Sequence, residues 1–116
     1  DVIEPIIDEI EDIVWKARKA ILTGDAILLG KLLLKNHDNL KKLEVSNSIL
    51  DHMVDTAMRA GALGAKLTGG GMGGCIIALA TDLTDAEKVA KALIKEGARA
   101  VWYFSTASKE LIRVER

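Results

Sequence analysis

The stretch KLTGGGMGGCIIALA, Lys66 to Ala80, places five of the chain's ten glycines in six consecutive positions and then runs directly into apolar residues. Consecutive backbone N–H groups in a glycine-rich turn can form a concave anion nest, because no side chain bars the approach of a phosphate. Lys66 and Thr68 lead into the run. On a strand of alternating faces they share one side, a cation and a hydroxyl at the mouth of the nest, while Ala65 and Leu67 pack the other way. Two alternatives stay open. The same glycines would serve a hairpin with unusual backbone angles or a close helix contact, and Lys66 and Thr68 would equally be a solvated lysine and an ordinary β-former.

Two familiar phosphate motifs fail on context. Gly69, Gly71 and Gly74 satisfy G-x-G-x-x-G, but that fingerprint needs a helix opening at its third glycine, and CIIALA reads as a strand. A P-loop needs a Lys-Ser/Thr pair after the glycines, and Lys66 comes before them. Elsewhere, Asn36 finishes a helix and His37, a lone histidine near a helix end, reads as structural. Ser46 and Asp51 read as a cap and a surface position, with no histidine placed by sequence to complete a triad. Cys75 reads as a small core residue at the start of a buried strand. Trp15 and Trp102 are too isolated for a stacking platform and belong to a core or an interface.

These residues need elements to hold them. Ile3, Ile6, Ile10, Ile13, Ala17 and Ile21 recur at steps of three and four and predict a first helix, with Pro5 tolerated in its first turn. Gly24 ends it. Asp25 caps a second helix whose buried face carries leucines 28, 29, 32 and 33. Ser46 is expected to cap a third, with Val45 and Leu50 as a hydrophobic staple, and Ile49, Leu50, Met53, Val54, Ala57 and Met58 line its inner side as far as Gly61. AKLT and CIIALA then read as strands around the glycines. Thr84 and Glu87 form a capping box for a fourth helix to about Lys95, ended by Gly97. AVWYFS and LIRVE close the chain as strands. The order, three helices followed by β-loop-β-α-β-β, predicts an α+β fold: a mostly antiparallel sheet with helices on one face.

Composition narrows the function. With 116 residues, 49% of them hydrophobic, the chain supports one core and one domain over 1–116. Sixteen Lys and Arg against 17 Asp and Glu give a net charge of −1, without the basic footprint of a nucleic-acid binder. A single cysteine forms no internal disulfide, no Cys/His spacing suits a metal, and a reducing, cytoplasmic setting is expected. No apolar run reaches the roughly 18 residues of a membrane span. The opening DVIEPI lacks an initiator Met, as a piece of something longer would.

From Gly30 to Ala80, and above all in GAKLTGGGMGGC, the sequence resembles the carboxy-terminal domain of the GHMP small-molecule kinases, within which the mevalonate kinases are most similar. Asn36-His37 ahead of an apolar helix and Val45-Ser46 extend the match. Gly70 stands where the family often has alanine, and Met72 where it often has glycine. The resemblance implies a ferredoxin-like α+β domain and transfer of the γ-phosphate of ATP to the primary alcohol of mevalonate, an early step of isoprenoid synthesis. It also implies an amino-terminal GHMP kinase domain that binds most of the ATP and supplies the Mg²⁺ ligands and the catalytic Asp and Lys. Because none of those motifs occurs here, no catalytic residue is assigned to this chain, and the chain alone is expected to be inactive. What it would contribute is the loop facing phosphates and substrate: Thr68, Gly69, Gly70, Gly71, Met72, Gly73 and Gly74, with Lys66 and His37 on the substrate side. A homodimer is compatible with the family. Another GHMP substrate (phosphomevalonate, homoserine or galactose), or a stand-alone regulatory or dimerisation module binding an anionic metabolite, is the competing expectation.

Overall fold

The computed structural model of the chain describes residues 3–68, 74–103 and 112–115. Its elements are α1 (Ile3–Thr23), α2 (Ala26–Lys42), α3 (Ser48–Arg59), β1 (Gly64–Thr68), β2 (Cys75–Leu79), α4 (Leu83–Lys95), β3 (Ala100–Tyr103) and β4 (Ile112–Glu115). This is the α+β order that the patterning predicts. The described strands pair two by two, β1 antiparallel to β2 and β3 antiparallel to β4.

The four helices among the described residues stop in the same way. The residue after the C-cap turns left-handed, and the next N–H bonds back to a carbonyl five residues earlier: Asp25 to Ala20, Val45 to Leu40, Ala62 to Ala57 and Ala98 to Leu93. That is the Schellman arrangement, and glycine supplies the positive φ at 24, 61 and 97. In α2 the same position is Glu44, at φ 62°.

Helix starts differ from expectation at two places. Asp25 caps α2, accepting the Leu28 N–H at 3.0 Å as expected. α3, however, is capped by Asn47, whose side chain accepts the Leu50 N–H at 2.9 Å, and Ser46 turns to Asp51 instead. α4 is capped by Asp82, two residues ahead of the expected Thr84. In both, a nearby carboxamide or carboxylate reaches the N3 N–H, so the hydroxyl is not needed there.

The main core lies between α3, α4 and the β1–β2 hairpin: Val54, Ala57, Ala62, Ala65, Val89 and Leu93 are buried together, with Leu34, Met53 and Ile76 against them. A second cluster, Ile13, Ala20 and Leu32 with Ala17 and Leu29, joins α1 to α2. The ends of the predicted stripes fall outside both. Ile3, Ile21, Leu28 and Ile49 are exposed, and beside two of them the neighbouring Ala20 and Leu50 are the buried residues. Trp15 is exposed as well, its ring flanked by Arg18 and Lys19, and is not a core residue. No helix among the described residues is long and apolar enough to cross a membrane.

Candidate functional site

The hairpin that carries the glycine run is built from its base upward. β1 and β2 are in register from Gly64 opposite Leu79 to Thr68 opposite Cys75. The run therefore joins two residues that face each other across the ladder. Residues paired in this way project to the same side, so Lys66, Thr68, Cys75 and Ile77 share one face and Ala65, Leu67 and Ile76 the other. The second face is the inner one, with Ala65 and Leu67 buried. On the first, Thr68 and Cys75 are exposed and Lys66 is half-buried. Cys75 is thus an exposed thiol and not the core residue expected.

Gly69, Gly70, Gly71, Met72 and Gly73 lie outside the described residues. Gly74 is described, and it is a packing position: a Cβ there would stand 2.6 Å from Leu50 Cδ1 and 2.7 Å from Cδ2. The α3 side chain Leu50 fills the space a larger residue would need.

The other stem is held by a polar chain. The Leu67 N–H donates to His37 Nδ1 at 3.0 Å, so Nδ1 is the unprotonated ring nitrogen and Nε2–H donates to Asp51 Oδ1, also at 3.0 Å. Ser46 Oγ donates to that same oxygen at 2.7 Å. His37 is only 2% exposed and both of its nitrogens are engaged, one by the β1 backbone and one by α3. Nor is the trio a nucleophilic triad. Ser46 bonds the carboxylate and not the imidazole, and the nitrogen that would serve as base is taken by a backbone amide.

Two charges are tuned nearby. Partial burial pushes the Asp51 pKa up, but the hydrogen bonds from Ser46 and His37, with the field of Lys41, outweigh it and leave the carboxyl below its ordinary range. Burial pushes the Lys66 ammonium below its ordinary value, and among the described residues no acid pairs with it. On α2 beside His37, Asn36 Oδ1 and Asn39 Nδ2 are buried without a hydrogen-bond partner among the described residues.

Sequence reasoning missed the role of Asp51 and the partnership of His37 with the Leu67 amide. The signal for the first was weak: an acid in the first turn of a helix reads as a dipole partner. For the second there was none, since the bond spans thirty residues.

Comparison with known proteins gives the same frame. Residues 17–99 match the family described as GHMP kinases C terminal. The mevalonate kinase of Thermococcus gammatolerans is 39% identical over 120 residues, covering 99% of this chain and 35% of its own length. The galactokinase of Lactococcus lactis is 46% identical over 65 residues, covering 54% of this chain and 16% of its own. Among solved structures, L. major mevalonate kinase in complex with R-mevalonate superposes with a TM-score of 0.77 at 34% identity, covering 95% of this chain and 31% of that one. The chain thus spans about a third of the length of the mevalonate kinases it matches.

Proposed function

The chain belongs to the GHMP kinase family as a C-terminal domain, and from that premise we propose that it is the phosphate-facing half of an ATP-dependent mevalonate kinase. Its own residues, 1–116, form the domain, and an amino-terminal GHMP kinase domain is its partner. The observation that carries the reading is the hairpin base. Thr68 is exposed at the entrance to a segment with five glycines, and two residues before it on the same face stands the half-buried Lys66, which no acid pairs among the described residues. An anion opposite Lys66 would offset the desolvation that lowers its pKa.

These residues fit the phosphate end of ATP. When bound, ATP supplies the phosphoryl group; in this reading Lys66 balances its charge, Thr68 donates a hydrogen bond, and the segment from Gly69 to Gly74 offers backbone N–H groups. Phosphoryl transfer is governed by positioning and charge stabilisation, which fixed donors supply without an acid or base of their own. The Mg²⁺ ligands and the groups that activate the alcohol are assigned to the partner domain. Mevalonate is favoured over galactose as substrate because the mevalonate kinase likeness runs over 99% of the chain and the galactokinase likeness over 54%.

The test is a panel assay of the complete enzyme carrying this domain, with mevalonate, phosphomevalonate, homoserine and galactose as acceptors and ADP release as the readout. ATP-dependent turnover of mevalonate in preference to the others is expected, and none from the 116-residue chain alone. Preference for another acceptor would overturn the substrate, and activity of the isolated chain would overturn the division of labour.

A further inference from the structure

The first turn of α3 touches both stems of the glycine segment. Leu50 packs on Gly74, the last residue of the run, closely enough that even a methyl group on Gly74 would displace it. The next residue, Asp51, accepts from His37, and His37 accepts the amide of Leu67, one residue before Thr68. Leu50 is itself fixed, 4% exposed and with its N–H on the Asn47 cap. We propose that this turn, acting through Leu50 on one stem and through Asp51 and His37 on the other, is the frame that fixes the two stems of the hairpin at Thr68 and Gly74, and that His37 is a positioning residue for the phosphoryl transfer proposed above. The proposal rests on that functional reading for its kinetic consequence, while the frame is a statement about the hairpin alone.

The physical case is that the Leu67 N–H points away from β2, toward α2. In the β1–β2 ladder the Leu67 side chain is buried, and the side of β1 away from β2 meets α2. A strand amide on that side has no ladder partner, and leaving it unpaired in a buried place is expensive. An imidazole is suited to the place because its two nitrogens can tie a backbone donor to a carboxylate across its width. Asp51 keeps Nε2 protonated and thereby keeps Nδ1 an acceptor. Ser46 braces the same oxygen. A shift of the strand end by a fraction of an ångström would be carried directly into Thr68 and the glycines, and misplacement on the order of 1 Å can lower a rate about a hundredfold.

His37→Asn and His37→Gln separate this from general stability. The asparagine side chain ends where Nδ1 lies and can still accept from Leu67, but it loses Asp51. Glutamine reaches as far as Nε2 and can still meet Asp51, but it leaves the Leu67 N–H unpaired. In the complete enzyme, His37→Gln is expected to lower kcat at saturating ATP about tenfold or more, His37→Asn by no more than about threefold. Hydrogen exchange followed by mass spectrometry on peptides spanning 64–79 is expected to speed up most in His37→Gln, which leaves the Leu67 N–H unpaired, and less in His37→Asn, which loses only the tie to Asp51. Ser46→Ala, which removes only the brace, provides a folded comparison if either histidine variant proves insoluble, with a smaller change of the same kind in both readouts. Equal kcat per folded molecule in both histidine variants, whatever their melting temperatures, overturns the positioning role. Unchanged exchange over 64–79 in His37→Gln, or in Ser46→Ala where that is the variant available, overturns the frame. A complete enzyme that transfers no phosphate to any acceptor defeats the functional reading, and the exchange result still decides the frame.

Discussion

Gly30 of α2 and Gly64 of β1 meet backbone to backbone. A Cβ on Gly30 would run into the Leu63 carbonyl, and one on Gly64 into the carbonyl of Gly30 itself. Neither φ is positive, so the two glycines are required by space and not by conformation. The contact lets the helix lie directly on the strand, and it is seven residues downstream of Gly30 on that helix that His37 reaches the Leu67 amide.

Gly30→Ala and Gly64→Ala are therefore expected to be among the most damaging single-methyl additions in the chain. Overpacking a core typically destabilises by about 1–3 kcal/mol, and these two belong at or above the top of that span because the obstructing atoms are backbone. Urea unfolding midpoints of the two variants check this. A loss below about 0.5 kcal/mol in either would mean that α2 and β1 can part without consequence.

Glu44 offers the opposite opportunity. It holds the left-handed position that glycine holds at the ends of the other three helices, and it makes the same pair of Schellman bonds. A left-handed conformation disfavours a side chain by about 1–2 kcal/mol, while glycine gives back part of this through the greater freedom of its unfolded chain. Glu44→Gly should raise the melting temperature by a few degrees, for a net gain of about 0.5–1 kcal/mol. A lower melting temperature would show that the glutamate side chain contributes more than its conformation costs.

The capping assignments make separable predictions. Asn47→Ala removes the side chain that accepts the Leu50 N–H and should destabilise by about 1 kcal/mol at any pH where the domain is folded. Ser46→Ala acts through Asp51, so its effect depends on pH. Because the folded Asp51 pKa is lowered, the stabilisation it brings is complete above the unfolded carboxyl value of about 3.9 and disappears as pH falls through the lower folded value. The melting-temperature difference between parent and Ser46→Ala should accordingly be constant from neutrality down to about pH 5 and shrink below about pH 4. A difference that persists unchanged at pH 2–3 would show that Ser46 stabilises the fold by some route other than the carboxylate.

What could be read from the sequence follows from the range of the forces involved. The middles of the helix faces, the Asp25 cap and the glycine stops at 24, 61 and 97 are local, written within a turn or two, and they agree with the structure. The caps of α3 and α4 were misplaced by one and two residues because Ser46 and Thr84 are as good by type as Asn47 and Asp82. Only the three-dimensional path shows that Ser46 is drawn to Asp51. The two faces of β1 could be told apart from alternation alone, but not the exposure of Cys75: burial of an edge strand depends on what lies over it. His37 illustrates the limit. Its bond to the Leu67 amide joins residues thirty apart and carries no periodicity for the sequence to display.

The last prediction concerns the glycine run in the complete enzyme. If the segment from Gly69 to Gly74 receives phosphate charge, a side chain at Gly71 would hold the phosphates away by about a methyl diameter, and a displacement on the order of 1 Å can lower a rate about a hundredfold. Gly71→Val should therefore reduce kcat strongly while the melting temperature changes little, because the core residues Ala65 and Leu67 belong to the strand and not to the run. Thr68→Val keeps the shape and removes the hydroxyl. The residue is exposed, so stability should hardly move, whereas loss of a donor aimed at developing charge should reduce kcat about tenfold or more. Lys66→Met should mainly raise the KM for ATP, since a charge that balances the bound phosphates acts on ground and transition states alike, and relief of its partial desolvation should leave the domain no less stable. Steady-state kinetics in ATP and in mevalonate, with melting curves on the same preparations, check all three. Wild-type turnover by folded Gly71→Val and Thr68→Val enzymes would mean that the glycines serve backbone geometry alone, and that Thr68 is an ordinary strand residue at the base of a hairpin.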